Sequence, residues 1–346
     1  MKAGVGLVAV VVMMTAGSSL AADWPQWRGP NRDGKSVDTG LLKQWPENGP
    51  PLAWRVDTLG GGYSTPSIAA GRIFGMSNRG DKEVVWALSE KDGSEIWVTS
   101  LGPAFRQQPS QGREGPACTP TVDGERLYVE GLGGNVACLQ VQDGKIVWQR
   151  SLTEDLGGRR PMWSYRESPL VDGDKVVVTP GGADAIMVAL NKLTGETMWK
   201  AKMLDSPAGA SGAPGGLGGG RGGPGGGGGG FGGMILLDGY LYGASGGNEG
   251  GALACLDFKT GKVMWDQRQS GQRRAKGSLA LADGLLYYRM EDGNIVLIEP
   301  NPKQYTERSR FQQPDRSQQP AWPHPVIANG KLYLRDQDVL LCYNIK

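Results

Sequence analysis

The sequence predicts an all-β fold, a ring of repeated four-stranded antiparallel sheets, and three observations support it. Four glycines are each followed four residues later by a tryptophan: Gly93/Trp97, Gly144/Trp148, Gly195/Trp199 and Gly261/Trp265. A small residue precedes each of these tryptophans by ten positions: Ala87, Cys138, Ala189 and Cys255. Asp-Gly and Thr-Gly turns separate apolar runs of strand length. The apolar residues in these runs do not follow the 3.6-residue spacing of an amphipathic helix. Units of about 40 to 50 residues with four strands are typical of β-propeller blades.

The chain begins with a predicted secretory signal peptide, residues 1–22. Lys2 precedes a short apolar run from Val5 to Ala16, and small residues favour cleavage after Ala21 or Ala22. The run is too short to span a membrane, and no cysteine follows it for lipid attachment. We therefore expect a periplasmic or extracellular protein without a transmembrane anchor.

Residues 23–50 form an N-terminal extension, and the repeats occupy residues 51–346. Pro51 to Val56 has the pattern of a fourth strand without its first three, whereas the last unit ends at Lys346 without a tryptophan strand. Pairing these two ends would complete one blade and cover open strand edges. We predict about six blades, closed by pairing of the N-terminal Trp54 strand with the C-terminal blade.

A glycine-rich stretch, residues 206–233, interrupts the repeat between the Trp199 strand and the strand from Met234 to Leu237. It has no periodic apolar content, so it cannot bury enough surface to order itself. We predict a flexible insert between two blades at this point.

The overall amino-acid composition does not indicate a class of binding partner. Lys and Arg total 37 against 35 Asp and Glu, so the near-neutral charge predicts no nucleic-acid binding. Three of the four cysteines, Cys138, Cys255 and Cys342, fall at or beside the same position of different blades. We expect all four to be buried small hydrophobic residues, with a disulfide involving Cys118 as the alternative.

The two faces of the predicted ring differ. The tight-turn face carries the short turns after the first and third strands of each blade, and the long-loop face carries the longer connections. Those connections combine basic and aromatic residues, which can hold an anionic or ring-shaped ligand. The candidate ligand face comprises Arg113, Arg160, Trp163, Tyr165, Arg166, Arg273, Arg274, Lys276, Trp322 and His324. The alternative is that these charges are merely solvated.

The sequence offers no catalytic site. His324 is the single histidine, which leaves no zinc cluster, and no Gly-x-Ser-x-Gly elbow marks a nucleophile. The glycine runs lack the strand-to-helix setting of a phosphate loop.

The segment from Ala252 to Trp265 resembles the tryptophan-docking repeat of pyrroloquinoline quinone (PQQ)-like propellers, and Asp23 to Gly34 is similar to the start of secreted planctomycete-type members. This superfamily includes quinoprotein alcohol dehydrogenases and, more distantly, the outer-membrane assembly lipoprotein BamB. The resemblance implies that five tryptophans pack between blades as structural residues: Trp54, Trp97, Trp148, Trp199 and Trp265.

The resemblance also defines what an enzyme of this superfamily would need. Its enzymes hold PQQ and a calcium ion on the axis with carboxylate and amide side chains, an Asp base and often a vicinal cysteine pair. No Cys-Cys occurs here, and no segment corresponds to the calcium ligands. These propellers usually have eight blades, and the glycine-rich stretch stands where about two would be expected.

The sequence therefore predicts an exported, non-catalytic monomer that acts as a binding or assembly scaffold through its long-loop face. The expected partner is a protein or an anionic or glycan ligand, and no cofactor is expected. One alternative is a PQQ-dependent alcohol dehydrogenase, which would require PQQ and calcium. A second is a degenerate superfamily member without a ligand.

Overall fold

The structure, a computed structural model, describes residues 23–106, 115–202, 233–245, 251–267 and 276–346. The predicted signal peptide and, apart from Gly233, the predicted flexible insert lie outside these residues. The described strands are β1 Leu52–Val56, β2 Ser67–Ala69, β3 Arg72–Arg79, β4 Lys82–Ser89, β5 Glu95–Pro103, β6 Thr121–Asp123, β7 Arg126–Glu130, β8 Asn135–Gln140, β9 Ile146–Ser151, β10 Leu170–Asp172, β11 Lys175–Val178, β12 Met187–Asn191, β13 Thr197–Ala201, β14 Ile235–Leu237, β15 Tyr240–Ser245, β16 Ala252–Asp257, β17 Val263–Asp266, β18 Gly277–Ala282, β19 Leu285–Met290, β20 Asn294–Glu299, β21 Thr306–Gln312, β22 Val326–Ala328, β23 Lys331–Asp336 and β24 Val339–Asn344.

These strands form six four-stranded antiparallel sheets, which confirms the predicted blades. Blades 1 to 5 are β2–β5, β6–β9, β10–β13, β14–β17 and β18–β21, and blade 6 is β22, β23, β24 and β1. The predicted pairing of the chain's ends is also present, because β1 lies antiparallel to β24 with Trp54 opposite Cys342. The C-terminal strand therefore has no open edge.

The third and fourth strands of each tryptophan-bearing blade share one local geometry. Each tryptophan lies directly opposite a small residue: Trp54 opposite Cys342, Trp97 opposite Ala87, Trp148 opposite Cys138, Trp199 opposite Ala189 and Trp265 opposite Cys255. Cross-strand partners point to the same sheet face, so a small partner leaves room for the indole. The pairing register shifts beside each of these pairs. All four cysteines are free and buried, as the repeat predicts.

Hydrophobic clusters join most neighbouring blades. One cluster spans blades 5, 6 and 1, and others span blades 1 and 2, blades 2 and 3, and blades 4 and 5. Among the described residues, no such cluster joins blade 3 to blade 4. The repeat's packing is thus interrupted where the glycine-rich stretch separates these blades in the sequence.

The N-terminal extension lies across the ring. We call residues 23–46 the N-terminal plug. In every blade, the plug forms a hydrogen bond with the first strand or with a residue within two positions of that strand. These contacts join Trp24 to Ile68, Pro25 to Val122, Arg32 to Val171, Arg28 to Met234, Ser36 to Leu281 and Asp38 to Gly330. Because they fall near the tight turns, the plug covers the axis at the tight-turn face.

Candidate functional site

The junctions between blades reveal how the repeated tryptophans work. The Nε1–H groups of Trp54, Trp97 and Trp148 donate to the carbonyl oxygens of Glu90, Val141 and Lys192 in the next blade, at 3.2, 3.1 and 3.0 Å. Each ring lies on the glycine three residues after that carbonyl. A Cβ atom added at Gly93, Gly144 or Gly195 would lie only 2.8, 2.4 or 2.7 Å from the ring. We call this glycine and carbonyl together an indole acceptor.

Trp265 docks by a variant of the same arrangement. Its Nε1–H donates to the carbonyl oxygen of Asn301 at 2.7 Å, and its ring lies edge-on to Tyr305 with the centroids 5.6 Å apart. An aromatic ring in blade 5 therefore replaces the glycine surface found at the other junctions.

At the junction between blades 5 and 6, a phenylalanine takes the place of the docked tryptophan. A Cβ atom added at Gly49, just before β1, would lie 2.7 Å from the Phe311 ring, whose centroid is 5.3 Å from that of Tyr343 in blade 6.

Ser309 stands opposite Leu297, where other blades carry the docking tryptophan. Trp45 of the plug packs on blade 5: its backbone N–H donates to Ser309 Oγ at 3.1 Å, and its ring centroid is 5.6 Å from that of Tyr287 and 5.4 Å from that of Phe311. Ser309 in the tryptophan position was a visible signal in the sequence that this junction differs.

At the junction between blades 3 and 4, docking is missing. Trp199 is 39% exposed, whereas Trp148 and Trp265 are each 8% exposed. No described atom lies within 4 Å of the position of a Cβ on Gly261, the corresponding acceptor glycine, which is itself exposed. The structure thus places four of the five predicted docking tryptophans against the next blade and leaves Trp199 outside its acceptor.

The candidate ligand face divides into separate groups. Arg113, Arg273 and Arg274 lie outside the described residues. Arg160, Trp163, Tyr165 and Arg166 share the connection between β9 and β10, residues 152–169, which we call the Trp163 loop. Lys276 precedes the first strand of blade 5, and Trp322 and His324 precede the first strand of blade 6.

The tip of the Trp163 loop is apolar, exposed and flanked by arginines. Met162 is 78% exposed and Trp163 is 59% exposed. Arg166 Nε donates to the Trp163 carbonyl oxygen at 2.6 Å. Arg160 lies over the ring of Phe105 at 4.3 Å from its centroid and donates to the Gly133 carbonyl oxygen at 3.2 Å. These contacts brace an exposed apolar tip between two guanidinium groups.

Tyr165 is buried beneath this loop. Its hydroxyl donates to the carbonyl oxygen of Pro180 at 2.9 Å, and burial raises its pKa to about 12. Tyr165 therefore anchors the loop to blade 3 and does not extend the exposed surface.

Trp322 and His324 pack against neighbouring parts of the fold. Trp322 lies over Tyr63 with ring centroids 4.7 Å apart, and its Nε1–H donates to Glu291 Oε1 at 2.9 Å. His324 is buried, and its ring centroid lies 6.3 Å from that of Trp27 in the plug. Both residues therefore take part in packing within the ring.

Two carboxyl groups are buried between blades 1 and 2. Burial raises the pKa of Glu83 to about 7, although its Oε1 accepts the Leu132 N–H at 2.9 Å. Burial also raises the pKa of Glu130 well above its usual range, with the nearby charge of Glu167 adding to the effect. Burial therefore favours the uncharged form of Glu130 in the folded protein.

A buried arginine lies at the position in blade 6 that corresponds to Glu130. Burial lowers the pKa of Arg335 to about 9. Its guanidinium donates to the carbonyl oxygens of Ser64, Met76 and Gln337 and to Ser77 Oγ, at 2.7 to 3.0 Å. Neither Arg335 nor Glu130 was among the site residues expected from the sequence. The sequence contains a signal for both residues. Each is a charged residue at the fifth position counted from the start of its blade's second strand, where blades 1, 3 and 4 carry the uncharged residues Met76, Thr179 and Ala244.

In the part of the chain that the structure describes, no group of three or more His, Cys, Asp and Glu side chains could hold a metal ion. Within the same residues, no helix is long and apolar enough to cross a membrane.

A family model described as outer membrane protein assembly factor BamB matches residues 38–155 and 81–217, which together span just over half of the chain. The outer membrane protein assembly factor BamB of Shewanella oneidensis is 26% identical over 157 residues, a match that covers 43% of this chain but only 36% of that protein.

Two solved structures also resemble the chain. The crystal structure of BamB from Moraxella catarrhalis has a TM-score of 0.41 and 15% identity, covering 90% of this chain and 86% of that one. A quinohemoprotein alcohol dehydrogenase from Pseudomonas putida HK5 has a TM-score of 0.43 and 16% identity, covering 90% of this chain and 56% of that one.

Proposed function

Because the chain belongs to the PQQ-like β-propeller superfamily, through its match to the BamB family model, we propose that it is an exported, non-catalytic binding scaffold. Its working surface is the Trp163 loop on the long-loop face, and its partner is a polypeptide. The signal-peptide pattern supports a location in the periplasm or outside the cell. The matched relative is named as an assembly factor, which agrees in kind with a binding role.

The exposed tip formed by Met162 and Trp163 carries this proposal. Tryptophan and arginine are enriched among residues that dominate protein interfaces, and methionine adapts its shape to different partners. Exposing this much of a tryptophan side chain to water is unfavourable unless a partner covers it. The flanking Arg160 and Arg166 favour a partner that carries acidic residues beside an apolar patch.

Site-specific photo-crosslinking in cells that produce the protein tests this surface. A photoreactive amino acid replaces Trp163 in one variant and Leu193 in a control, because Leu193 is 57% exposed but lies in a tight turn of blade 3. We expect the variant at position 163 to capture a defined polypeptide that the control does not. Trp163→Ala should then weaken binding of the purified partner by about 30-fold, the effect of a residue worth about 2 kcal/mol.

Two outcomes would contradict the proposal. Equal crosslinking at both positions would mean that the Trp163 loop is not a binding surface. Dye-linked oxidation of alcohols after addition of PQQ and calcium would favour the dehydrogenase alternative over a non-catalytic scaffold.

A further inference from the structure

The Trp163 loop is attached to blade 2 through the short turn between β7 and β8. We call this turn, residues 131–134, the Leu132 turn. Three loop residues donate hydrogen bonds to the carbonyl oxygens of three turn residues: Tyr165 to Leu132, Leu152 to Gly134 and Arg160 to Gly133, at 3.3, 2.7 and 3.2 Å. The position of the exposed loop tip therefore depends on where this turn is held.

Close packing joins the turn to the underside of the loop. A Cβ atom added at Gly134 would lie 2.7 Å from the ring of Tyr165, and one added at Gly133 would lie 3.3 Å from the side chain of Phe105. The side chain of Leu132 is completely buried. The Leu132 turn and the buried part of the Trp163 loop thus form one packed unit.

Glu83, in β4 of blade 1, holds the other side of the turn. Its Oε1 accepts the Leu132 N–H at 2.9 Å, and a Cβ atom added at Gly131 would overlap its Oε2. Within its own blade, Glu83 lies opposite Asn78 and Gly102, neither of which has a titratable side chain. One carboxyl group of blade 1 therefore contacts the turn to which the loop is bonded.

The described titratable groups that face Glu83 are acids. Glu130 and Cys118 of blade 2 interact electrostatically with it, and Glu167 and Tyr165 of the Trp163 loop interact with Glu130. The Glu167 N–H donates to the Glu130 carboxyl group, so a second buried acid contacts the loop near its end. Ionised Glu83 gains no ion pair from these groups, and its carboxylate recovers hydration when the turn moves away.

We propose that Glu83 is a positioning residue that makes binding by the Trp163 loop proton-dependent: its protonated carboxyl group keeps the Leu132 turn and the loop attached, and its ionisation releases them. The inference rests on the proposed function, because the loop is the proposed partner-binding surface. The partner is therefore bound more tightly at acid pH than at alkaline pH.

The direction of this effect follows from the burial of Glu83. Burial raises its pKa to about 7, whereas contact with water after release restores the ordinary value of 4.5. The attached arrangement keeps a proton that the released arrangement loses, so rising pH favours release. With these two pKa values, the ratio of released to attached loop rises about tenfold between pH 6 and pH 8.

A spin label at the loop tip measures release without the partner. Met162→Cys places a thiol at a position that is 78% exposed, and the four native cysteines are buried, so a nitroxide reagent labels position 162. The electron paramagnetic resonance spectrum of the purified mature protein separates mobile from immobile label. We expect the ratio of mobile to immobile label to rise by about tenfold or more between pH 6 and pH 8.

Glu83→Gln tests the positioning residue, because its amide oxygen can accept the Leu132 N–H and cannot ionise. In this variant the rise should be about tenfold smaller, and any remainder comes from Glu130. Glu125→Gln, at an exposed carboxylate, should keep the full rise. A label at Leu193→Cys in blade 3 should show no rise, which separates release of the loop from unfolding.

Two results of the label experiment would overturn the proposal. One is a label at position 162 whose mobility does not change with pH. The other is an equal rise with and without Glu83.

Photo-crosslinking at position 163 tests the effect on binding. Permeabilised cells are irradiated in buffers at pH 6 and pH 8, with the photoreactive residue in the unaltered background and in Glu83→Gln. We expect capture of the polypeptide to fall at pH 8, and to fall less in Glu83→Gln. Equal capture at both pH values would contradict the regulation alone. Capture of no polypeptide at either pH would contradict the proposed function, whereas the label still tests the attachment of the loop.

Discussion

Glu83 is a carboxyl group removed from water at the junction of blades 1 and 2. Among the residues that the structure describes, one N–H, that of Leu132, donates to it, and this is insufficient to offset the loss of hydration. Its folded pKa of about 7 lies above the ordinary value of 4.5, so the folded state retains a proton that the unfolded state releases. Stability therefore falls as pH rises from about 4.5 to 7.

Glu83→Gln should remove the share of this pH dependence that comes from Glu83 and leave the share that comes from Glu130. The amide oxygen of glutamine can still accept the Leu132 N–H, and it carries no charge to desolvate. We expect the variant to be about 3 kcal/mol more stable than the unaltered protein at pH 8 and equal to it below pH 4.5. Urea unfolding at several pH values measures the difference.

Glu125→Gln provides the control for this comparison, because Glu125 is an exposed carboxylate in the turn before β7. Its pH profile should follow that of the unaltered protein. A Glu83→Gln profile with the same fall between pH 4.5 and 7 would show that Glu83 is not the group responsible.

Four blades are joined to the next one by an indole that crosses the junction, that of Trp54, Trp97, Trp148 or Trp265. Trp45, which belongs to the plug, is buried against Tyr287 and Phe311 of blade 5. Trp199 has the sequence position of a docking residue without the contacts. The position in the repeat therefore does not decide the contribution of a tryptophan to stability.

Trp45→Ala should cost far more stability than Trp199→Ala. Removing a buried tryptophan side chain lowers the free energy of unfolding by about 3 to 5 kcal/mol. Removing a partly exposed ring that is not docked lowers it by about 1 kcal/mol or less. Both values come from urea unfolding of the purified variants at one pH. Equal losses would mean that Trp45 stabilises the fold no more than an undocked ring does, or that Trp199 is docked in solution.

The whole ring is held together by two different connections. Hydrophobic clusters and docked indoles join five pairs of neighbouring blades, whereas the plug links blade 3 and blade 4 at the axis. There, Arg32 donates to the Val171 carbonyl oxygen at 3.0 Å, and Arg28 donates to that of Met234. The plug thus connects the inner strands of the two blades whose outer parts lack docking contacts.

The double variant Arg28→Ala, Arg32→Ala should loosen this part of the ring selectively. We expect hydrogen exchange in β10 and β14 to accelerate about fivefold, corresponding to roughly 1 kcal/mol in local opening. Exchange measured by mass spectrometry should change little in β2 and β6.

Arg72→Ala is the matched control, because Arg72 donates to the carbonyl oxygens of Val141 and Gln142 across a junction that also holds Trp97. Its effect on β2 and β6 should be smaller. Acceleration spread evenly over all blades in the double variant would show that the plug stabilises the ring as a unit.

Much of the fold could be predicted because it depends on local chemistry. Turn glycines with positive φ, strand-length apolar runs and a small residue ten positions before each tryptophan repeat at regular spacing, and they determine the blades. The incomplete units at Trp54 and Lys346 also predicted the strand pairing that completes blade 6. The candidate ligand face was less predictable, because loop composition does not determine which side chains are buried: Tyr165 and Trp163 lie two residues apart and face opposite environments.

The sequence by itself determined the blades, their number and the pairing of the chain's two ends, because each depends on pattern along the chain. Only the tertiary structure decided that the plug contacts every blade, that Phe311 lies on Gly49 at the junction of blades 5 and 6, and that Trp199 lies outside its acceptor. Those outcomes depend on which surfaces meet across distant parts of the chain. These contacts depend on burial and close packing between blades, and the spacing of residues along the chain does not indicate them.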